Sequence, residues 1–180
     1  CIRDRVSTEE EALALLENMT FDLVICMPST GDNDSFDIGR HIKSLYEHIP
    51  IVILTPFSHG ITARIADEDL SAFDYVFCWL GNTDLLVSII KLIEDKMNLE
   101  HDVAEVGVQL ILLVEDGIRF YSSVLPNLYK FVLKQSQEFS TEALNAHQRT
   151  LRMRGRPKIV LARTYDEAIT IYEKYKNCLL

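Results

Sequence analysis

Two adjacent carboxylates, Glu115 and Asp116, close the apolar run Val108-Gln-Leu-Ile-Leu-Leu-Val114. Side by side they repel one another and can only accept hydrogen bonds, so a cation between them is the natural relief, and a hard, oxygen-liking ion such as Mg²⁺ suits them best. With no third carboxylate nearby the ion would have to keep most of its waters, and Mg²⁺ would bind weakly. The plainer alternative is a pair of solvated acids at the end of a strand. Little else in the chain is arranged for chemistry. Cys1, Cys26, Cys78 and Cys178 are scattered without C-x-x-C spacing and read as small apolar residues of a reducing compartment. His147 stands alone, without metal-ligand spacing. No G-x-S-x-G, no Walker loop and no second carboxylate cluster is present, so no enzyme is expected in this chain.

The elements that would position the acid pair come from periodicity. Val108–Val114 lacks alternation and is rich in Leu, Ile and Val, which predicts a central strand of a parallel sheet covered on both faces. Its carboxyl end, where the acids sit, is where open α/β sheets bind ligands. Upstream, strands are predicted at Ile2–Val6, Phe21–Met27, Ile51–Thr55 and Phe73–Trp79. Helices are predicted from Ser7-Thr8-Glu9-Glu10-Glu11, with Thr8 as cap, from Phe36 to Tyr46, near Ile61–Leu70, and after a cap at Asn82. Downstream, Ile118 to Phe139 reads as one long amphipathic helix. Its apolar face carries Tyr121, Leu125 and Val132, widened by Phe120 and Phe131, and Pro126 is expected to kink it. Strands alternating with helices predict an α/β fold with a parallel sheet and flanking helices.

Composition bounds the function. The chain has 180 residues, is 48% hydrophobic and carries a net charge of −9, enough for one or two buried cores. Residues 1–100 hold 7 basic against 18 acidic residues, and 101–180 hold 11 against 9. The acidic half is a poor nucleic-acid partner, since phosphate affinity needs clustered Lys and Arg. The one basic cluster, Arg149, Arg152, Arg154, Arg156 and Lys158, reads as a solvated face or as a dock for an acidic surface. No run is long enough to span a bilayer and no secretory leader opens the chain, so a cytoplasmic protein that binds neither membrane nor nucleic acid is expected. A chain that begins on Cys also reads as a fragment.

The run Ile-Leu-Leu-Val-Glu115-Asp116 resembles the first strand of response-regulator receiver domains, a flavodoxin-like fold of two-component phosphorelay signalling. Phe21-Asp-Leu-Val-Ile-Cys26 is similar to the strand that, in that family, ends on the phosphorylated aspartate. Here Met27 stands at the acceptor position. Ile51-Val-Ile-Leu-Thr55 resembles the family's switch strand, so Thr55 takes the switch-like position. Asp74-Tyr-Val-Phe-Cys78 resembles the strand that carries the family's lysine, and Cys78 stands at that position. The resemblance implies a first receiver whose acceptor and lysine are both lost. Asp32 and Asp34, in the polar turn from Pro28, are nearby carboxylates better explained by turn chemistry.

The chain also resembles itself. Glu10-Glu11-Ala12-Leu13 matches Asp166-Glu167-Ala168-Ile169 at an offset of 156 residues, each preceded by a capping Thr, Thr8 or Thr164, and by a short strand, Ile159–Ala162 in the second copy. The expected organisation is a degenerate receiver over 1–98 lacking its first strand, a linker at 99–107, and the front part of a second receiver over 108–180 with a helical insertion near 140–156. The strand Val108–Val114 would either fill the first copy's central slot, between Ile2–Val6 and Leu23–Met27, or pair with Ile159–Ala162 in a sheet of its own. The phrase from Glu115 to Phe131, with Leu151-Arg-Met-Arg-Gly-Arg-Pro-Lys158, is similar to the N-terminal region of bacterial multidomain proteins with a pyruvate phosphate dikinase-like PEP/pyruvate-binding domain. The resemblance implies a regulatory module whose partner is a histidine kinase, the downstream domain of the same protein, or a second copy in a homodimer.

Overall fold

The computed structural model describes residues 6–28, 35–56, 65, 67–141 and 155–180, without the side chains of 137–141. It divides into two compact units, Cys1–Leu80 and Gly81–Leu180. Each contains a parallel sheet with flanking helices, the α/β class expected.

The first unit begins with α1 (Glu9–Asn18). Thr8 Oγ1 accepts from the Glu11 N–H at 3.3 Å and Glu11 Oε2 accepts from the Ser7 N–H at 3.0 Å, satisfying two orphan donors of the first turn. The sheet is β1 (Val24–Cys26), β2 (Ile51–Pro56) and β3 (Tyr75–Trp79), all parallel and in that order, with Cys26 opposite Ile53 and Thr55 opposite Cys78. Between β1 and β2 runs α2 (Ser35–Leu45), whose Gly39 lies tight against the sheet side of the core. A Cβ there would meet Phe73 Cζ at 2.7 Å, so only glycine lets this helix approach. Asp74 ties the amino ends of the strands together: its Oδ2 accepts from the Ile51 N–H at 3.1 Å and from Lys43 Nζ at 3.3 Å. Every residue of β2 through Thr55 is buried, whereas Val24 and Ile25 of β1 are only half-buried.

The second unit comprises α3 (Asp84–His101), a π-helical turn (Asp102–Val106), β4 (Leu110–Val114), α4 (Ile118–Thr141), β5 (Lys158–Ala162) and α5 (Tyr165–Tyr175). Asn82 starts α3 as expected, its Oδ1 accepting from the Asp84 N–H at 2.9 Å. This helix falls in the second unit, where it packs with α4 and β5. The stretch read as a polar linker, 99–107, is helical up to Gly107, whose φ of 70° ends it in the left-handed conformation that glycine adopts without strain. What fixes it is Asp102, buried and paired with Lys158 at 2.7 Å.

Strand β4 pairs in parallel with β5 along its whole length, from Leu110 opposite Lys158 to Val114 opposite Ala162. Of the two arrangements open to Val108–Val114, this is the separate sheet. Among the described residues β4 is one of that sheet's two strands and not the central strand expected: Leu110 is fully buried, Ile111 to Leu113 are half-buried and Val114 is exposed. The reason is its second edge, which among the described residues is bridged only at Leu110, by Leu179. On α4, Tyr121, Leu125, Tyr129 and Val132 are buried, and Pro126 lies inside the helix. Phe120 and Phe131, expected to widen that face, are instead exposed, because they project beyond the stripe that meets α3. The strand Ile2–Val6 up to residue 5, the turn with Asp32 and Asp34, most of the helix near 61–70, and the insertion with His147, Arg149, Arg152 and Arg154 lie outside the described residues.

Candidate functional site

The sequence-singled residues fall at the carboxyl ends of parallel strands, in two separate places. In the first unit, Met27 follows β1, Thr55 is in the last turn of register of β2, and Cys78 lies opposite Thr55 on β3. Three neighbouring strands therefore bring the three positions to one sheet edge. Met27 is 60% exposed, Thr55 and Cys78 are buried, and none of the three side chains carries charge. The Met27 carbonyl accepts from Ser35 Oγ at 3.2 Å, which fastens the start of α2 to the end of β1. Just behind the edge, burial pushes the Cys26 thiol from the ordinary 9.0 up to about 11. That thiol is an inert packing group and not a nucleophile.

In the second unit, Glu115 and Asp116 leave the end of β4. The Glu115 N–H continues the ladder by donating to the Ala162 carbonyl at 3.0 Å. Its carboxylate turns back to accept from the Gly117 N–H at 2.9 Å, at the start of α4, where the helix's positive end favours a negative charge. Gly117 in turn accepts from the Phe120 and Tyr121 N–H groups at 2.8 and 3.1 Å. Glu115 is half-buried and Asp116 exposed, so the pair is neither dry nor enclosed. Among the described residues no group of three or more His, Cys, Asp and Glu side chains is assembled around a common point. Two carboxylates could hold a hydrated Mg²⁺ at this edge, but one of them already serves the helix.

The densest polar constellation was not legible in the sequence. Asp95 of α3, fully buried, receives Arg156 Nη2 at 2.6 Å and Nη1 at 3.0 Å, Tyr129 Oη at 3.0 Å and the Ile159 N–H at 3.1 Å. Lys158 Nζ stands 3.7 Å from Asp95 and 2.7 Å from Asp102. Arg156 and Lys158, read as part of a solvated basic face, are thus almost completely buried, at 5% and 4% exposure. Burial by itself would loosen the proton on Arg156; the hydrogen bonds and charge of Asp95 outweigh it, and the guanidinium is held more firmly protonated than usual. Two acids and two bases make the cluster neutral. It lies at the amino end of β5, away from the acid pair, and its hydrogen bonds are consumed internally, so it reads as scaffold. A lone Asp on an otherwise apolar helix face, with Leu92 and Leu99 one turn to either side, was the sequence signal that could have found it.

No described helix is long and apolar enough to cross a membrane. Neither a protein-family model nor a curated protein matches the chain.

Proposed function

We propose that this chain is a signal-transduction module of receiver type, a degenerate receiver followed by the front part of a second, that acts on a partner through protein–protein contact and catalyses nothing itself. The observation that carries the reading is the convergence of Met27, Thr55 and Cys78 on one edge of a three-stranded parallel sheet. At that edge a phosphoryl acceptor would need an anionic oxygen and a clamping cation. A thioether and a buried thiol offer neither, while the hydroxyl of the switch-like position is kept. The second unit carries its own acid pair, Glu115 and Asp116, as weak Mg²⁺ ligands. The partners in keeping with this are a histidine kinase, a further domain of the same protein, including a PEP/pyruvate-utilising kinase, or a second copy.

The test is phosphodonor labelling of the whole chain with acetyl phosphate and Mg²⁺, followed by mass mapping. No label is expected at the usual position within residues 1–100, and labelling at that half's strand ends would sink the degenerate-receiver reading. Mg²⁺ titration should show millimolar binding that Glu115→Gln with Asp116→Asn abolishes. Tight binding that survives both changes would remove the acid pair from the account. The hydrogen bond from the Gly117 N–H to Glu115 favours a second reading, in which the acids only start α4 and the chain is a structural interaction domain. Mg²⁺-independent partner binding, unaffected by the double substitution, would select it.

A further inference from the structure

Of the chain's seven glycines only Gly117 follows an aspartate, and none follows an asparagine. The step Asp116-Gly117 stands where β4 has ended and α4 has not begun. An aspartate before glycine has a reaction open to it within its own chain. The next residue's nitrogen can attack the side-chain carboxyl carbon, Cγ, and close a five-membered succinimide ring. Two things ordinarily hold that reaction back in a folded protein: a side chain on the following residue shields the nitrogen, and the amide proton must leave as the new bond forms.

Both obstacles are lowered at this step. Gly117 has no Cβ, so its nitrogen can be approached closely. Its N–H donates to Glu115 Oε1 at 2.9 Å, within the reach that a general base needs of the proton it takes. A Cβ on Gly117 would stand 2.8 Å from that same Oε1, so the carboxylate occupies the space that any other residue would fill. The neighbours of Asp116 are anchored through the main chain. The Glu115 N–H is held by the Ala162 carbonyl at 3.0 Å, and the Gly117 carbonyl accepts from the Phe120 and Tyr121 N–H groups at 2.8 and 3.1 Å. Asp116 between them is exposed, so its side chain can turn while base and nitrogen stay in contact.

We infer that Asp116-Gly117 is a site of spontaneous isomerisation to isoaspartate, with Glu115 as its built-in base. In the first step the Gly117 nitrogen bonds to Cγ of Asp116, taken as the carboxylic acid, and gives its proton to Glu115. Glu115 returns that proton to the departing hydroxide, so one water is lost and the base is regenerated. In the second step water adds to the ring at the main-chain carbonyl of Asp116 and breaks its bond to the Gly117 nitrogen. The chain then runs through Cβ and Cγ, one carbon longer, and the former main-chain carbonyl has become a carboxylate. That extra carbon between Glu115 and Gly117 draws the N–H away from Oε1, loosens the start of α4 and moves one acid of the pair. The site stands apart from the signalling reading, since ring closure needs neither phosphorylation nor Mg²⁺.

The full chain is kept for several weeks at physiological temperature and pH. Isoaspartate is counted by the labelled methyl groups that an isoaspartyl methyltransferase transfers to it from S-adenosylmethionine, and it is placed by peptide mapping, where the succinimide shows as a peptide lighter by one water. Label should accumulate in the peptide that contains Asp116-Gly117 and disappear from it in Asp116→Glu, whose larger ring closes far more slowly. Glu115→Gln keeps an oxygen for the Gly117 N–H to donate to but cannot take its proton. It should slow the accumulation by about tenfold or more, with an unchanged circular dichroism spectrum. In urea, where Glu115 is no longer held against Gly117, the native chain and Glu115→Gln should react at equal rates. Equal rates in the folded chains, a slowing that persists in urea, or no label in that peptide would overturn the assignment.

Discussion

Replacing Asp95 by Asn isolates the electrostatics of the second unit with almost no change of volume. In the native chain Asp95 and Asp102 balance Arg156 and Lys158, and all four are nearly inaccessible to water. Asparagine removes the charge and turns one acceptor into a donor aimed at the guanidinium, leaving two buried cations to share one carboxylate. Breaking a buried pair from one side costs about 3–5 kcal/mol. A unit of this size has a total stability of about 5–15 kcal/mol, so the change removes about a fifth or more of it. Each kcal/mol moves the midpoint of such a unit by about 4–8 °C, so Asp95→Asn should lower its melting temperature by about 12 °C or more.

The assay is thermal and urea unfolding of the full chain followed by far-ultraviolet circular dichroism. A fall of under about 4 °C, which corresponds to about 1 kcal/mol, would put the cluster in the class of exposed ion pairs and refute the reasoning. A second arm separates charge from packing. Asp95→Leu combined with Arg156→Met removes both members of the pair and should be more stable than Asp95→Leu alone, because no uncompensated guanidinium remains. It should still fall short of the native chain. The Tyr129 hydroxyl and the Ile159 N–H would both have lost their acceptor, at about 1–3 kcal/mol for each buried group left unsatisfied.

Other consequences follow from single contacts. With its thiol raised from 9.0 to about 11, Cys26 should alkylate about a hundredfold more slowly near pH 8 than an ordinary thiol, measured by mass-resolved iodoacetamide labelling. The same shift makes stability fall above pH 9, where the unfolded thiol ionises and the folded one does not, by about 2–3 kcal/mol once pH 11 is passed; urea midpoints that are flat from pH 8 to 11 would contradict it. Gly39→Val should destabilise the first unit by about 1–3 kcal/mol through overpacking against Phe73, read as a lower urea midpoint. Met27→Asp, at an exposed position, should change stability by less than about 0.5 kcal/mol and still not accept phosphate from acetyl phosphate, because Cys78 supplies no cation.

What the sequence revealed, and what it hid, divides by range. The local signals were legible: the Thr8 and Thr164 caps, Asn82 at the start of α3, and the apolar strands β2 and β5 are each written within a few residues. The partition of elements between units was not. Leu85, Ile89, Leu92 and Ile93 announce an amphipathic helix, but an apolar stripe does not say which sheet it covers. The answer came from Asp95, which the periodicity passes over, because its partner Arg156 lies 61 residues away in a run that looks like surface charge. Arginine run and solvated face are linked only on average; a bidentate carboxylate reverses the expectation. The same blindness hid the helical ending of α3, since nothing near Asp102 signals Lys158.

The ion cluster and the acid pair occupy opposite ends of the second unit, and the strand between them connects the two. Asp95 holds the Ile159 N–H, and so fixes the start of β5 against α3. From there the ladder runs without interruption to Ala162, whose carbonyl receives the Glu115 N–H. A slip of one residue would turn every side chain of β5, all of them buried, to the other face and carry the Arg163–Glu167 cap out of place. The cluster forbids that slip, because a displaced Arg156 would leave an unpaired charge in the core. The backbone at Glu115 and Asp116 is therefore placed by charges at the far end of β5. A substitution at Asp95 should disturb the acid pair's geometry before it unfolds the unit, which a Glu115 backbone amide resonance in Asp95→Asn, compared with the native chain, would reveal as a displaced shift with the Ala162 hydrogen bond weakened. An unmoved resonance in a folded variant would show that β4 sets the acid pair by itself.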